Sequence, residues 1–306
     1  MDLIYGIDIA SEGFVVYNGD RGCFDCENKK KPISAFLKTL PEGAIIALEA
    51  TGGYGKLLAD MAVERGFTVY MLQPVRVKRF REAGPERSKN DKADALEIHE
   101  YVSAFRRRLH PYQPLPEFEA KLRKLTRVRD GLVSKIGSIR LLLGTLGEDR
   151  KSVEKLLSGL VKRAAELMDE IEGMISQAKD AKVLSSIPAV GPCTIGALLP
   201  VLRTVPFKGK YSLDKFVGMD LVMNQSGKSK GKRRISKQGD KRVRKALYMA
   251  AMSAATSKVW KPYYQWMLET KKLKKIPALV ALARKLLHTI YGVYRTQTAF
   301  VAPNKG

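Results

Sequence analysis

The sequence predicts an α/β N-terminal domain followed by a helical middle and a mainly α C-terminal domain. Three observations carry this. Short apolar runs alternate with helical periodicity over the first 100 residues or so. Pro111, Pro114 and Pro116 then interrupt both helix and strand within six residues. After them, residues 117–179 contain no proline and step in threes and fours. The expected units are 1–115, 116–183 and 184–306.

Residues 3–9 read as an apolar strand, 13–17 as a second and 22–27 as a third. Residues 31–39 make a short helix. Residues 44–49 (AIIALE) are a buried strand, short, apolar and followed by Thr51-Gly52-Gly53. Residues 54–65 are helical, 67–72 a strand and 91–105 a helix. Three strands, then helix, strand, helix and strand, is the order of an RNase H-like fold. Leu122, Leu125, Val128, Leu132, Ile136, Ile139 and Leu143 form one stripe. Leu156, Leu157, Leu160, Val161, Leu167, Ile171 and Ile175 form another. Together they predict a helical hairpin or coiled coil turning near 144–149, either packed within a bundle or projecting as a dimerisation arm. Further helices are expected at 192–199, 241–258 and 277–295, with a polar Gly-, Ser- and Lys-rich loop at 224–239.

The formal net charge of the 306 residues is +24. Residues 203–306 hold 24 Lys+Arg against 4 Asp+Glu, whereas the first 202 hold 31 against 27. A one-signed surface in the last third calls for a polyanion, and solubility alone does not need it. The longest apolar stretch noted, 246–255, is too short to cross a bilayer, so no membrane partner is expected. Met1-Asp2 opens directly into a strand, which predicts a cytoplasmic protein. Cys23 and Cys26 form one C-x-x-C without a second pair, and the three histidines do not supply one. They read as ordinary strand cysteines in a reducing compartment.

Asp8 lies inside an apolar strand, where a carboxylate is costly unless paired, exposed or metal-bound. Glu49 ends another buried strand. Asp91 and Asp94 stand at i and i+3, so they share a helix face. Any one of these is a weak signal. In this order they suit a hard divalent cation with oxygen ligands, which supports phosphodiester chemistry.

Residues 228–245 pack ten Lys/Arg and one Asp into eighteen positions. Lys228, Ser229, Lys230, Lys232, Arg233, Arg234, Lys237, Arg242 and Lys245 are the expected nucleic-acid contacts. Ser226, just before this stretch, and Ser229 and Ser236 within it read as phosphate contacts or as a nucleophile, and spacing does not choose among them. The stretch Ile187-Pro188-Ala189-Val190-Gly191-Pro192 reads either as a helix-hairpin-helix turn that grips a phosphate or as a plain helix start. Ala189 replaces the first glycine usual in that turn.

The blocks Gly6-Ile7-Asp8-Ile9-Ala10, Leu48-Glu49-Ala50-Thr51-Gly52 and Asn90-Asp91-Lys92-Ala93-Asp94-Ala95 resemble the DEDD signature of the insertion-sequence-110 family transposases and their Piv-type invertase relatives. Ser186-Ile187-Pro188-Ala189-Val190-Gly191, Phe216-Val217-Gly218-Met219, Ser226-Gly227-Lys228-Ser229, Ile235-Ser236-Lys237-Gln238-Gly239 and Arg244-Lys245-Ala246-Leu247-Tyr248-Met249 resemble that family's C-terminal domain. The family pattern often has Lys where Ser11 stands here. The resemblance implies a RuvC-like nuclease domain in which Asp8, Glu49, Asp91 and Asp94 hold Mg2+ or Mn2+. It maps a nucleophilic serine onto Ser226, which forms a transient 5′-phosphoserine link with DNA. It further implies donor and target double-stranded DNA as substrates and a non-coding bridge RNA as guide. The active site would be shared between subunits of a homo-oligomer, dimer to tetramer. Hydrolytic RuvC-like cleavage and site-specific DNA inversion are the alternatives.

Overall fold

The computed structural model describes residues 3–19, 22–50, 53–83, 90–143, 145, 150–222, 225–226, 229–230 and 234–302, and of 225–226 and 229–230 the backbone only. The chain divides into two compact units, Met1–Pro114 and Leu115–Gly306.

The first unit is built on a five-stranded sheet, ordered β3-β2-β1-β4-β5. Its strands are β1 (Ile4–Ile9), β2 (Gly13–Tyr17), β3 (Cys23–Glu27), β4 (Ile45–Glu49) and β5 (Thr68–Leu72). β1–β2–β3 is an antiparallel meander, while β4 and β5 run parallel to β1, with Ile7 beside Leu48. Helices α1 (Lys30–Lys38) and α2 (Lys56–Glu64) cover one face. There Ile33, Phe36, Leu37, Leu58 and Ala62 meet Tyr5, Ile7, Val16, Ile46 and Leu48. Helices α3 (Pro74–Ala83) and α4 (Asp91–Phe105) cover the other, where Val77, Ile98 and Val102 meet Ile4, Ala47 and Tyr70. Both faces of β1 and β4 are buried, which is why those strands read as continuous apolar runs. The mixed sheet with helices on both faces fits the expected RNase H-like order. α3 is an addition: it is basic, buries only Val77 fully, and so gave no apolar stripe. Cys23 and Cys26 are free thiols on the edge strand β3, three residues apart, and so face opposite sides of it.

The second unit is helical. α5 (Glu117–Leu142) and α6 (Arg150–Gln177) pack on each other. Ala164, Leu167, Ile171 and Ile175 form the buried stripe of α6, whereas Leu156 and Val161, expected in it, face outward. Leu122, Ile171 and Ile175 join the same core as the C-terminal helices, so the base of the pair packs within this unit. The outer ends expose Leu141, Leu142 and Leu156.

α7 (Lys179–Leu184) and α8 (Pro192–Thr204) flank a turn in which Ala189 adopts a left-handed φ of 70°. That is the conformation for which the missing glycine is preferred. The Trp260 indole N–H donates to Pro188 O at 2.9 Å and holds the turn. Helices α9 (Lys210–Val217), α10 (Lys241–Ala254), α11 (Lys261–Glu269) and α12 (Lys275–Thr296) complete the core with Leu213, Leu247, Leu282 and Leu286. The expectation that 246–255 is the longest apolar stretch needs correction. α12 is long and apolar enough by composition to cross a membrane. It nevertheless carries the buried ion pair described below, and its apolar stripe lies in the core.

Between α9 and α10 the expected loop contains two short antiparallel ladders. β6 (Leu221–Val222) pairs with β9 (Arg234–Ile235), and β7 (Gln225–Ser226) with β8 (Ser229–Lys230). Gly218 and Gly239 fasten the base of this ribbon. A Cβ on Gly218 would stand 2.6 Å from Gln238 N, and one on Gly239 2.3 Å from Phe216 O.

Candidate nuclease site and basic ribbon

Side chains alternate along a strand, so Ile4, Gly6 and Asp8 share the α4 face of the sheet. Along β4, Ile45, Ala47 and Glu49 face the same way. The parallel register carries on to set Asp8 and Glu49 at neighbouring strand ends. Gly6 allows α4 to lie directly on β1: a Cβ there would stand 2.2 Å from Ala95 O and 2.6 Å from His99 N. The Asn90 side chain caps α4 by accepting from Ala93 N at 2.7 Å, which places Asp91 and Asp94 in its first turn. The four predicted acids therefore come from three elements to one end of the sheet.

Their electrostatics report this convergence. Burial, then the negative fields of Asp94, Asp91 and Glu49, raise the Asp8 carboxyl from 3.8 to about 6. Two residues escaped the sequence reading. Arg81 of α3 has Nη2 2.5 Å from Asp94 Oδ1, and its Nε donates to Glu97. Asp94 Oδ1 makes no hydrogen bond and is shut from solvent. Burial works against the Arg81 charge, yet the Glu97 hydrogen bond and the Asp94 field outweigh it and hold its pKa above the ordinary value. Glu97 continues the i, i+3 spacing of Asp91 and Asp94, a signal available in the sequence; Arg81 offered none.

The donors are all carboxylate oxygens, the set a hard divalent cation takes. Among the described residues no group of three His, Cys, Asp or Glu is close enough to hold an ion as it stands. Arg81 supplies the positive charge at Asp94 instead. The residue types and the excess negative field suit a cation, whose binding would require Asp94 to exchange partners.

In the second unit, the ladder register sets Ser226 opposite Ser229. Ser236 is committed elsewhere: its hydroxyl donates to Asp220, and its backbone N–H donates to Asp220 O at 2.9 Å. Arg234 and Lys237 are exposed at the ribbon base, and Arg242 and Lys245 are exposed on α10. Lys245 pairs with Asp130 at 2.7 Å. Lys228, Lys232 and Arg233 lie outside the described residues, and Ser229 and Lys230 are described by backbone alone. Asp214, 1% exposed as a side chain, accepts from Arg284 at 2.8 Å and lies 2.9 Å from His288 Nε2. It ties α9 to α12 and is a structural site.

Residues 5–146 match a family model described as a transposase, of the DEDD class, and residues 181–265 match one described as the transposase IS116/IS110/IS902 family. The chain is 26% identical to the pilin gene-inverting protein of Moraxella lacunata over 317 aligned residues, covering 96% of each chain. It is 26% identical to the pilin gene-inverting protein of Moraxella bovis over 264 residues, covering 83% of this chain and 81% of that one.

Proposed function

Given that the chain belongs to the IS116/IS110/IS902 transposase family, we propose that it is the recombinase of an insertion sequence, cutting and rejoining donor and target DNA through Ser226. It is a DNA recombinase, and the DEDD domain implies a divalent metal, which we take to be Mg2+. The observation that carries the reading is the placing of Asp8, Glu49, Asp91 and Asp94 at one sheet end, where burial and then the fields of Asp94, Asp91 and Glu49 raise the Asp8 carboxyl to about 6.

The reaction divides between two sets of residues. Asp8, Glu49, Asp91 and Asp94 would hold the metal, which supplies charge neutralisation at the scissile phosphate. The Ser226 hydroxyl gives up its proton and attacks phosphorus. A P–O Ser226 bond forms, the P–O3′ bond breaks, and the 3′ oxygen takes up a proton as it leaves. Attack by a new 3′-hydroxyl on the phosphoserine reverses these bonds, rejoins DNA and returns the serine. Basic side chains including Arg234, Lys237, Arg242 and Lys245 hold backbone phosphates. Pairing with a bridge RNA would supply sequence choice, which fits a basic surface without a base-reading module. The exposed Leu141, Leu142 and Leu156 at the outer ends of α5 and α6 suit contact with a second copy in a homo-oligomer.

A second reading, site-specific inversion, is favoured by the full-length similarity to pilin gene-inverting proteins. It uses the same chemistry on a different substrate arrangement.

The test is a denaturing-gel adduct assay with labelled donor DNA, Mg2+ and RNA copurified from a host carrying the full element. A covalent protein–DNA band is expected that vanishes with Ser226→Ala and with chelation. Cleavage without any band would replace the serine mechanism by hydrolysis.

A further inference from the structure

Within the second unit, α5, α8 and α10 enclose a cavity of about 230 Å3, of whose lining the reaction above uses only Arg242 and Lys245. Its floor is apolar, formed by Ala197, Val243 and Ala246, with the exposed Val133 and Met249 beside them. Its rim is strongly basic. Arg123, Arg127 and Arg129 come from α5, and Arg242 and Lys245 from α10, against only two lining carboxylates, Asp130 and Asp240.

Those two carboxylates are already committed. Asp130 pairs with Lys245 at 2.7 Å. Asp240 Oδ1 caps α10 by accepting from Arg242 N, and Oδ2 is shared between Arg123 at 3.4 Å and Arg127 at 3.9 Å. Arg129 and Arg242 have no carboxylate within ion-pair distance among the described residues. Arg129 is the telling one. Its Nη1 donates at 2.9 Å to Cys193 Sγ, a weak acceptor, and its Nε is buried without any partner. A buried guanidinium donor left unpaired is costly, and such groups are conventionally satisfied. Burial, and after it the neighbouring Arg123 and Arg242, also depress the Arg127 pKa. Close approach of the walls is built in at Gly196, where a Cβ would stand 2.5 Å from Thr126 Oγ1.

A cation-rich rim around an apolar floor suits an anion that carries a flat apolar body. We propose that this cavity takes one unpaired nucleotide of a nucleic-acid strand, its base on the apolar floor and its flanking phosphates on Arg123, Arg127, Arg129 and Arg242. Guanidinium groups both stack on bases and bridge phosphate oxygens, so the same side chains serve both parts. A duplex offers no free base to the floor and is held only through the rim. The inference rests on the reading of the chain as a nucleic-acid enzyme. The chemistry is shared by DNA and RNA, and the experiment separates them.

Cys193 lies in the cavity wall and supplies the probe. Its alkylation by N-ethylmaleimide is followed by peptide mass spectrometry on the full chain, with Cys23 and Cys26 of the first unit as internal references. Short mixed-sequence single strands of DNA and of RNA, and matching duplexes, are added in turn, and binding is read in parallel by fluorescence anisotropy. Slowing of Cys193 on the order of tenfold by a single strand, and little by duplex, is the expected result; whichever of DNA or RNA gives it names the source. Arg129→Gln and the exposed Arg242→Gln should each weaken single-strand binding on the order of tenfold with an unchanged circular dichroism spectrum. Binding that leaves Cys193 fully reactive, or equal protection by duplex, overturns the cavity assignment and leaves the recombinase reading standing. No binding of any oligonucleotide at low salt overturns both.

Discussion

Asp8 is the residue on which the candidate site turns, because burial and three neighbouring acids oppose its ionisation more than the Ile9 backbone hydrogen bond favours it. Its carboxyl is raised from 3.8 to about 6, by burial first and then by Asp94, Asp91 and Glu49. The folded state therefore holds this proton more tightly than the unfolded chain. The stabilisation that follows is fully present below pH 3.8 and is lost as pH rises through about 6. At pH 7.5 without metal the ionised Asp8 is a liability, and Asp8→Asn removes it. The shift alone corresponds to roughly 3 kcal/mol. The carboxylate is partly exposed, so solvent screening reduces this to on the order of 1–2 kcal/mol. The variant is expected to melt higher than wild type at pH 7.5 in chelator and to match it near pH 3.5. Adding Mn2+ should reverse the ranking at pH 7.5, because only the wild type gains a ligand. Calorimetric scans at the two pH values, with and without metal, decide this. A variant that is less stable in chelator at pH 7.5 would contradict the convergence of the acids.

At the scale of elements, the site depends on how closely α4 lies on β1. Gly6→Ala is the test of that contact, since the new methyl would meet Ala95 O and His99 N well inside van der Waals distance. Backbone atoms cannot swing aside as a side chain end would, so α4 must move as a body. A loss of about 3 kcal/mol is expected, together with loss of the metal-induced rise in melting temperature. Urea denaturation and metal titration check the two effects, and retention of both would show that α4 is not seated through Gly6. This contact also marks the limit of what the sequence discloses. Gly6, Asp8, Glu49, Asp91 and Asp94 could be read from strand parity and helix spacing, because those periods are local. Arg81 could not, because its partners Asp94 and Glu97 lie beyond residue 90 and nothing in the basic α3 distinguishes it from its neighbours. For the same reason Arg123, Arg127 and Arg129 drew no attention within a long charged helix. Only the packing of α8 and α10 against α5 makes them a cavity rim. The ribbon was missed as β structure because its strands are two residues long and polar. Its ladder is anchored by two glycines distant in sequence.

For the whole molecule, the division of charge matters more than its sum of +24. Ten Lys/Arg lie within residues 228–245, and the helical unit adds the arginine rim of α5. Each phosphate neutralised releases condensed counterions, so affinity for duplex DNA must fall steeply with salt. If about six of these cations reach phosphates, log K falls against log salt with a slope of about −5. Arg242→Ala should flatten that slope by about 0.9 without altering the preference for one sequence over another, since a phosphate contact carries no base information. The protein alone is accordingly expected to bind unrelated duplexes with equal affinity and equal slope, measured by anisotropy across a salt series. Added RNA that pairs with one of them should then separate the two. Strong discrimination by the RNA-free protein would place sequence reading in the polypeptide, and the ribbon or α10 would have to enter a groove to do it. Equal affinities would leave the protein as the holder of backbone and the chemist of the phosphodiester. That is the division of labour expected of a chain whose cations lie outside any recognisable base-reading helix.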